Sequence, residues 1–336
     1  MAEISVLGAG SWGIALGLLL HKNGHRVTMW SALESEVNML LTEREHKIGL
    51  PGIKIPQEIA ITSDLDEAVS GKDVIVMAVA SKFVRATAHR LQGKISKGQI
   101  IVNVAKGIED KTLMRLSEVI GEELPEADVA ILSGPSHAEE VGNGMPTAIV
   151  VGAKTQETAE YLQNIFANDV FRVYTSSDVL GMELGAAFKN VIALAAGIAD
   201  GLGYGDNTKA ALITRGIKEI ARLGEAMGAK PATIYGLSGI GDLIVTCASM
   251  HSRNRRAGIL IGQGRTMEEA VKEVNMVVEG IVSARAATDL AHKYNVEMPI
   301  TEKVSEVLFN NADAKNAVYD LMLRDKISEH EEMPWE

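Results

Sequence analysis

Up to about residue 175, short runs that are apolar almost throughout alternate with segments of mixed polarity. The apolar runs are Ile4–Leu7, Arg26–Trp30, Val74–Val79, Ile100–Val104, Val129–Leu132 and Ala148–Val151. Such continuous runs suit strands covered on both faces. Between them, Glu34–Leu41, Val84–Leu91 and Thr112–Ile120 read as helices. This β-α-β rhythm predicts an open, doubly wound, mostly parallel sheet with helices on both faces. Beyond residue 176 the period changes. Ser177 and Asp178 read as an N-cap, followed by a long run rich in small residues, Leu180–Ala199. Asn207–Met227, Met267–Val274, Ile281–Tyr294 and Pro299–Phe309 also carry helical spacing. The expectation is an α/β domain over 1–177 and an all-α domain over 178–336, with Ser328–Glu336 frayed. A length of 336 residues agrees with two domains at about 150 residues each.

Composition narrows the choice. A net charge of −11 argues against a nucleic-acid partner and against a basic membrane-surface helix. The start of the chain lacks a basic signal-peptide segment, and no stretch reads as the ~18 apolar residues of a membrane helix. Cys247 is the only cysteine, so no intrachain disulfide forms. Together these predict a cytoplasmic protein without membrane insertion.

The first turn carries chemistry. In Ile4–Leu20, "ISVLGAGSWGIALGLLL", Gly8, Gly10 and Gly13 form G-x-G-x-x-G between a strand and a helix. Gly8 permits the tight turn, Gly10 the close approach of a diphosphate, and Gly13 the packing of helix on strand. The helix N-terminus near Ser11 then faces phosphate with free N–H groups. With a second strand following, the pattern predicts dinucleotide binding by a Rossmann-type domain. No acid stands at the end of that strand, Met29-Trp30-Ser31-Ala32, where a 2′-hydroxyl is usually held. The missing acid removes repulsion of a 2′-phosphate, while no arginine stands there to attract one, so the reading leans to NADP(H) and leaves NAD(H) open.

Further along, Lys106 in "IVNVAKGIED" follows a strand directly and should face the ligand crevice. Lys189 and Asn190 are the only polar residues between Leu184 and Ala199. An unpaired ammonium costs several kcal/mol to bury, so Lys189 should have a partner or a task. In "GLSGIGDLIVTCASMHSRNRRAG", Asp242 sits in a glycine-rich loop. Ser252, Arg253, Asn254 and Arg255 then cluster as a binder of a phosphate dianion. Cys247 reads as inert packing, and no metal site is expected.

Taken in order, "GAGSWG", "AKG" at Lys106, "SGPSHA" at Ser133–Ala138, "FKN" at Lys189, "GLSGIGDL", "SRNRRAG" and "VEG" at Glu279 resemble the bacterial-type NAD(P)-dependent glycerol-3-phosphate dehydrogenases nearly end to end. The resemblance implies a Rossmann domain, a helical domain and an active site in the cleft between them. It implies interconversion of dihydroxyacetone phosphate and sn-glycerol 3-phosphate, and a role in supplying glycerol phosphate to phospholipids. It implies Lys189 as proton donor and acceptor, with Lys106 and Asp242 beside it. Gly134, Ser136, Asn190, Ser252, Arg253 and Asn254 complete the substrate set. Ser11, Trp12, Lys106, Ala138, Arg253 and Glu279 match cofactor contacts, and Trp30, Ser31, Phe83 and Val277 join that candidate set. Two departures stand out. Ala80-Ser81 replaces a usual Pro-Ser, and Ala32 lies where a charged or imidazole side chain is common. Alternatives of other classes are a β-hydroxyacid or sugar-acid dehydrogenase of the same plan and a non-catalytic nicotinamide-binding regulator. The partner considered besides the substrate is a second copy of the chain, as a homodimer.

Overall fold

In the computed structural model, residues 1–326 and 328–329 are described. Eight strands form one sheet: β1 Glu3–Leu7, β2 Arg26–Trp30, β3 Ala60–Thr62, β4 Val74–Met77, β5 Ile100–Asn103, β6 Asp128–Ser133, β7 Thr147–Gly152 and β8 Phe171–Ser176. Their spatial order is β3-β2-β1-β4-β5-β6-β7-β8, and only β7 on β6 is antiparallel. Helices α1 Ser11–Lys22, α2 Glu34–Glu43, α3 Leu65–Val69, α4 Val84–Arg90, α5 Leu116–Glu123, α6 Ala138–Gly142 and α7 Gln156–Phe166 accompany the strands. The order reverses between β1 and β4, and their ends align as Leu7 beside Met77 and Met77 beside Asn103. A ligand crevice opens at such a switch point, beyond the carboxyl ends of the strands.

Two strands escape the apolar-run reading for physical reasons. In β8 burial alternates, with Phe171 and Val173 inward and Arg172 and Tyr174 outward, as suits an edge strand. β3 has only three residues. The helix expected from Thr112 begins at Leu116, because Lys111 and Leu113 take positive φ values of 70° and 59°. That conformation ends helical continuity.

From residue 179 onward every described element is helical: α8 Val179–Gly201, α9 Asp206–Met227, α10 Pro231–Ile234, a π-helical turn at Leu237–Gly241, α11 Asp242–Ala248, α12 Arg253–Gly262, α13 Met267–Val274, α14 Glu279–Tyr294, α15 Pro299–Phe309 and α16 Ala314–Met322. Asp178 caps α8, accepting from Gly181 N at 3.0 Å. α8 is the axis of this layer, with α9, α11, α12 and α14 packed around it. Its glycines meet glycines. A Cβ on Gly197 would strike Arg255 O, and one on Gly258 would strike Leu194 O. Gly201 and Gly262 repeat this contact one turn further on, against Ile259 O and Ile198 O.

The expectation that no segment has membrane-helix length and apolarity is corrected. Val179–Gly201 and Pro231–Ala248 both have it by length and composition. The first is 89% buried within the fold, so its apolarity is that of a core helix. Of the end expected to be frayed, Glu329 meets Arg215, and its carbonyl accepts from Lys218 Nζ at 3.0 Å. Residues 330–336 lie outside the described residues.

Candidate active site

The glycine turn has the geometry of an anion cradle. Gly8 has φ +116°, and a Cβ there would sit 2.7 Å from Ala78 C. A Cβ on Gly13 would strike Gly8 O, so helix and turn touch through backbone alone. Beyond the Cβ position of Gly10 there is open space to 4 Å. α1 has no side-chain cap and no acid in its first turn. Its first N–H groups are therefore free for a diphosphate, and the residues present fit a dinucleotide.

The second feature is one carboxylate shared by two ammonium groups. Lys189 projects from the middle of α8 and is buried. Its Nζ lies 2.6 Å from Asp242 Oδ1 and 2.7 Å from Thr246 Oγ1. Lys106, three residues beyond β5, places Nζ 2.6 Å from Asp242 Oδ2. The same Nζ is 3.0 Å from Gly134 O and 3.3 Å from Ser136 Oγ. Asp242 is not in a flexible loop, as the sequence suggested. It opens α11, directly after the π-helical turn, and is 1% exposed. Gly185 of α8 makes that burial possible, since a Cβ there would come within 3.0 Å of Gly239 Cα and Ser238 O.

Burial pushes the Lys189 ammonium down to about 8, against the support of Asp242 and with the repulsion of Lys106. Burial works against ionisation of Asp242 too, yet Lys106 and Lys189 hold its carboxyl below the usual range. The result is a buried amine able to exist in either protonation state near neutral pH.

The arginine cluster divides. Ser252 caps α12, accepting from Arg255 N at 3.2 Å. Asn254 donates to Asn190 Oδ1 at 2.9 Å and accepts from Gly280 N at 2.9 Å, so it is locked beside the lysine helix. Arg255 is occupied by Asp200 at 2.8 Å and by Ala248 O at 2.7 Å. Arg253 makes no ion pair or side-chain hydrogen bond among the described residues. It stands half-buried at the start of α12, whose first turn carries no acid. A free guanidinium and a helix N-terminus are thus presented together, which suits a phosphate dianion.

Other predicted residues are spread around this centre. Glu279 opens α14 and accepts from Ser81 Oγ at 2.5 Å and Ser81 N at 3.4 Å, joining the helical layer to the turn after β4. Phe83 and Val277 are exposed, and Ala138 is buried at the start of α6. Ser11 donates to Gly49 O at 2.5 Å. Trp12 is half-buried and its Nε1 has no partner. Trp30 is packed in the core with Nε1 donating to Ser63 O at 3.0 Å. Ser31 is buried and donates to Glu36.

Three residues were not singled out from sequence. Thr246 lies one helical turn after Asp242, a spacing that signals a shared face. His137, in the quoted "SGPSHA", is held below its ordinary range by burial and by the Lys189 charge, and its Nε2 is buried without a partner. Glu36 reaches Ser31 from α2 and had no local signal. Burial pushes the Cys247 thiol up to about 12, which removes it from nucleophilic chemistry. Among the described residues no group of three or more His, Cys, Asp or Glu converges as a metal-ligand set.

Comparison with known proteins identifies the family. Residues 3–159 match the family described as NAD-dependent glycerol-3-phosphate dehydrogenase N-terminus, and residues 178–319 match its C-terminus. A protein of Agathobacter rectalis named glycerol-3-phosphate dehydrogenase (NAD(P)+) is 61% identical over 335 residues, covering 100% of both chains. One of the same name from Fusobacterium nucleatum is 62% identical over 97% of this chain and 98% of its own. The crystal structure of glycerol-3-phosphate dehydrogenase from Coxiella burnetii superposes with a TM-score of 0.93 at 36% identity, covering 96% of this chain and 99% of that one.

Proposed function

The chain belongs to the NAD-dependent glycerol-3-phosphate dehydrogenase family, and from that premise we propose how its residues divide the work. The reaction is the interconversion of dihydroxyacetone phosphate and sn-glycerol 3-phosphate with NAD(P)H. The observation that carries the assignment of roles is the single carboxylate of Asp242 shared by Lys106 and Lys189.

Gly8, Gly10 and Gly13, with Ser11 and Trp12 at the start of α1, would hold the diphosphate; Lys106, Ala138, Arg253, Val277 and Glu279 would border the nicotinamide half. A nicotinamide held there would supply the hydride that the reaction exchanges at C2. Lys189 handles the accompanying proton. As ammonium it donates to the oxygen growing negative on C2, and as amine it accepts the hydroxyl proton in the reverse direction. Asp242 positions both lysines. Lys106, already touching Gly134 O and Ser136 Oγ, extends this hydrogen-bonding wall toward the triose hydroxyl. Arg253 and the α12 N-terminus hold the phosphate, with Ser252 and the Asn254–Asn190 pair fixing where that N-terminus points. Binding energy at the phosphate then orients C2, three bonds from the phosphorus.

We take the boundary between the working units to lie near residues 177–178, between the end of β8 and the start of α8. The product suits supply of glycerol phosphate to phospholipid synthesis, and one buried cysteine suits a cytoplasmic setting. A homodimer is the oligomer to test by light scattering. The deciding experiment follows NADH and NADPH absorbance with dihydroxyacetone phosphate and with unphosphorylated keto acids. Turnover is expected only with the phosphate ester. Lys189→Ala is expected to lower kcat by about 10²–10⁴ while cofactor binding persists. Near wild-type turnover in that variant overturns the proton role.

A further inference from the structure

The end of β2 holds an arrangement that the roles above do not use. In dinucleotide domains an acid about 20 residues beyond the glycine turn holds the adenosine ribose, at the carboxyl end of the second strand. Here that place is Ser31, whose Oγ donates to Glu36 Oε2. Glu36 lies in the first turn of α2, and its other oxygen faces His46 Nε2 at 3.3 Å. Gly49 N donates to His46 Nδ1 at 2.9 Å, so Nδ1 carries no hydrogen. The hydrogen bond to Glu36 raises the His46 imidazole above its ordinary range, while Nδ1, accepting from Gly49 N, leaves Nε2–H as the hydrogen that faces Glu36. The chain of contacts closes on the diphosphate turn through Ser11 Oγ and Gly49 O, 2.5 Å apart. Gly49 permits this closeness, because a Cβ there would stand 3.0 Å from Ser11 Oγ and 3.1 Å from His46 Nδ1.

We propose that Glu36 reads the adenosine 2′ position: an acid carried in from α2 that accepts a hydrogen bond from a free 2′-hydroxyl and repels a 2′-phosphate, making NADH the preferred cofactor. The inference rests on the NAD(P)-dependent reading of the site and decides between the two nucleotides. The carboxylate keeps about a fifth of its side chain open to solvent. Two of its roughly four acceptor positions are used, so others remain for a hydroxyl. Among the described residues no arginine or lysine pairs with it, and its one basic partner is the His46 imidazole. The neighbouring cations are engaged elsewhere. Arg90 lies over the Trp30 ring, 5.1 Å from its centroid. Arg44 donates to Pro56 O and Ile59 O, at 3.1 Å and 2.9 Å. Hydrogen bonding from His46, opposed by burial and helped by Ser31, holds the Glu36 carboxyl below its ordinary range, so it is ionised at neutral pH.

The test measures kcat/KM for NADH and NADPH, with dihydroxyacetone phosphate saturating, in wild type and Glu36→Gln. Wild type is expected to favour NADH by roughly tenfold or more, the scale of a like-charge contact near a protein surface. Glu36→Gln keeps an acceptor oxygen and removes the charge, and should shift the ratio toward NADPH by about tenfold. A network that only braced the loop would weaken both nucleotides together. Titration of wild type with 5′-AMP and with 2′,5′-ADP needs no variant, and 5′-AMP is expected to bind tighter. A wild-type preference for NADPH, an unchanged ratio in Glu36→Gln, or tighter binding of 2′,5′-ADP overturns the proposal. Absence of turnover with either nucleotide would instead fail the reading beneath it, and the titration would still decide the role of Glu36.

Discussion

At the scale of the residue, the chemistry rests on what surrounds one amine. Lys189 loses hydration on burial and regains only part of it from Asp242 and Thr246, which is why its pKa drops to about 8. Reduction of the ketone uses the ammonium, so kcat/KM for dihydroxyacetone phosphate should fall as pH rises through about 8. Oxidation of glycerol 3-phosphate uses the amine and should rise through the same pH. Asp242→Asn removes the negative charge that supports the ammonium. The falling limb of reduction should then move to lower pH, and a limb that stays in place would show that Asp242 does not face the titrating group. Lys189 was conspicuous in sequence because an ionisable side chain in an apolar helix has few explanations. Arg255 was misread for the opposite reason: every arginine in "SRNRR" looks equally available, and only the fold shows that Asp200 occupies one of them. Glu36 was illegible, because the strand end it serves is five residues away and the link passes through a side-chain contact.

At the scale of the element, periodicity placed the strands that are buried on both faces and the long helices, several to the residue. It missed β8, whose alternating burial belongs to a sheet edge, and the helix start delayed to Leu116 by two left-handed residues. The π-helical turn before α11 left no trace in sequence beyond its glycines, and with the close approach at Gly185 it turns an expected loop residue, Asp242, into a buried one. The contact between α8 and α12 gives the sharpest element-level expectation. Gly197→Ala or Gly258→Ala drives a methyl into a facing backbone oxygen. Each should cost about 1–3 kcal/mol in urea unfolding, the usual range for overpacking. Because α12 carries Arg253, KM for the phosphate ester should rise in the same variants while the dinucleotide affinity set by α1 changes less.

At the scale of the whole molecule, the sheet layer and the helical layer are fastened at separate points around the shared carboxylate. Glu279 meets Ser81 on one side. On another, Glu183 of α8 accepts from Ser117 N at 2.9 Å, Ser117 Oγ at 2.5 Å and Arg115 at 2.8 Å, at the start of α5. Burial pushes the Glu183 carboxyl up, against Arg115 and Ser117, so its ionised form depends on those partners. Glu183→Ala removes the acceptor of Ser117 N, of Ser117 Oγ and of one arm of Arg115, which keeps its pair with Glu118, and should lower unfolding free energy by about 1–3 kcal/mol in a denaturant titration. A loss below about 1 kcal/mol, typical of an exposed pair, would mean that this fastening is ornamental.

Glu183, Lys189 and the glycines at 197 and 201 follow one another along a single uninterrupted rod. Each meets a different neighbour, and each extra residue in a helix rotates everything beyond it by about 100°. Inserting one alanine between 183 and 189 would leave composition, hydropathy and helical tendency intact, yet swing the amine away from its carboxylate or throw the downstream seam out of phase. Length here behaves as a calibrated quantity: single side chains along the rod can be exchanged, but the spacing between its three docking points cannot.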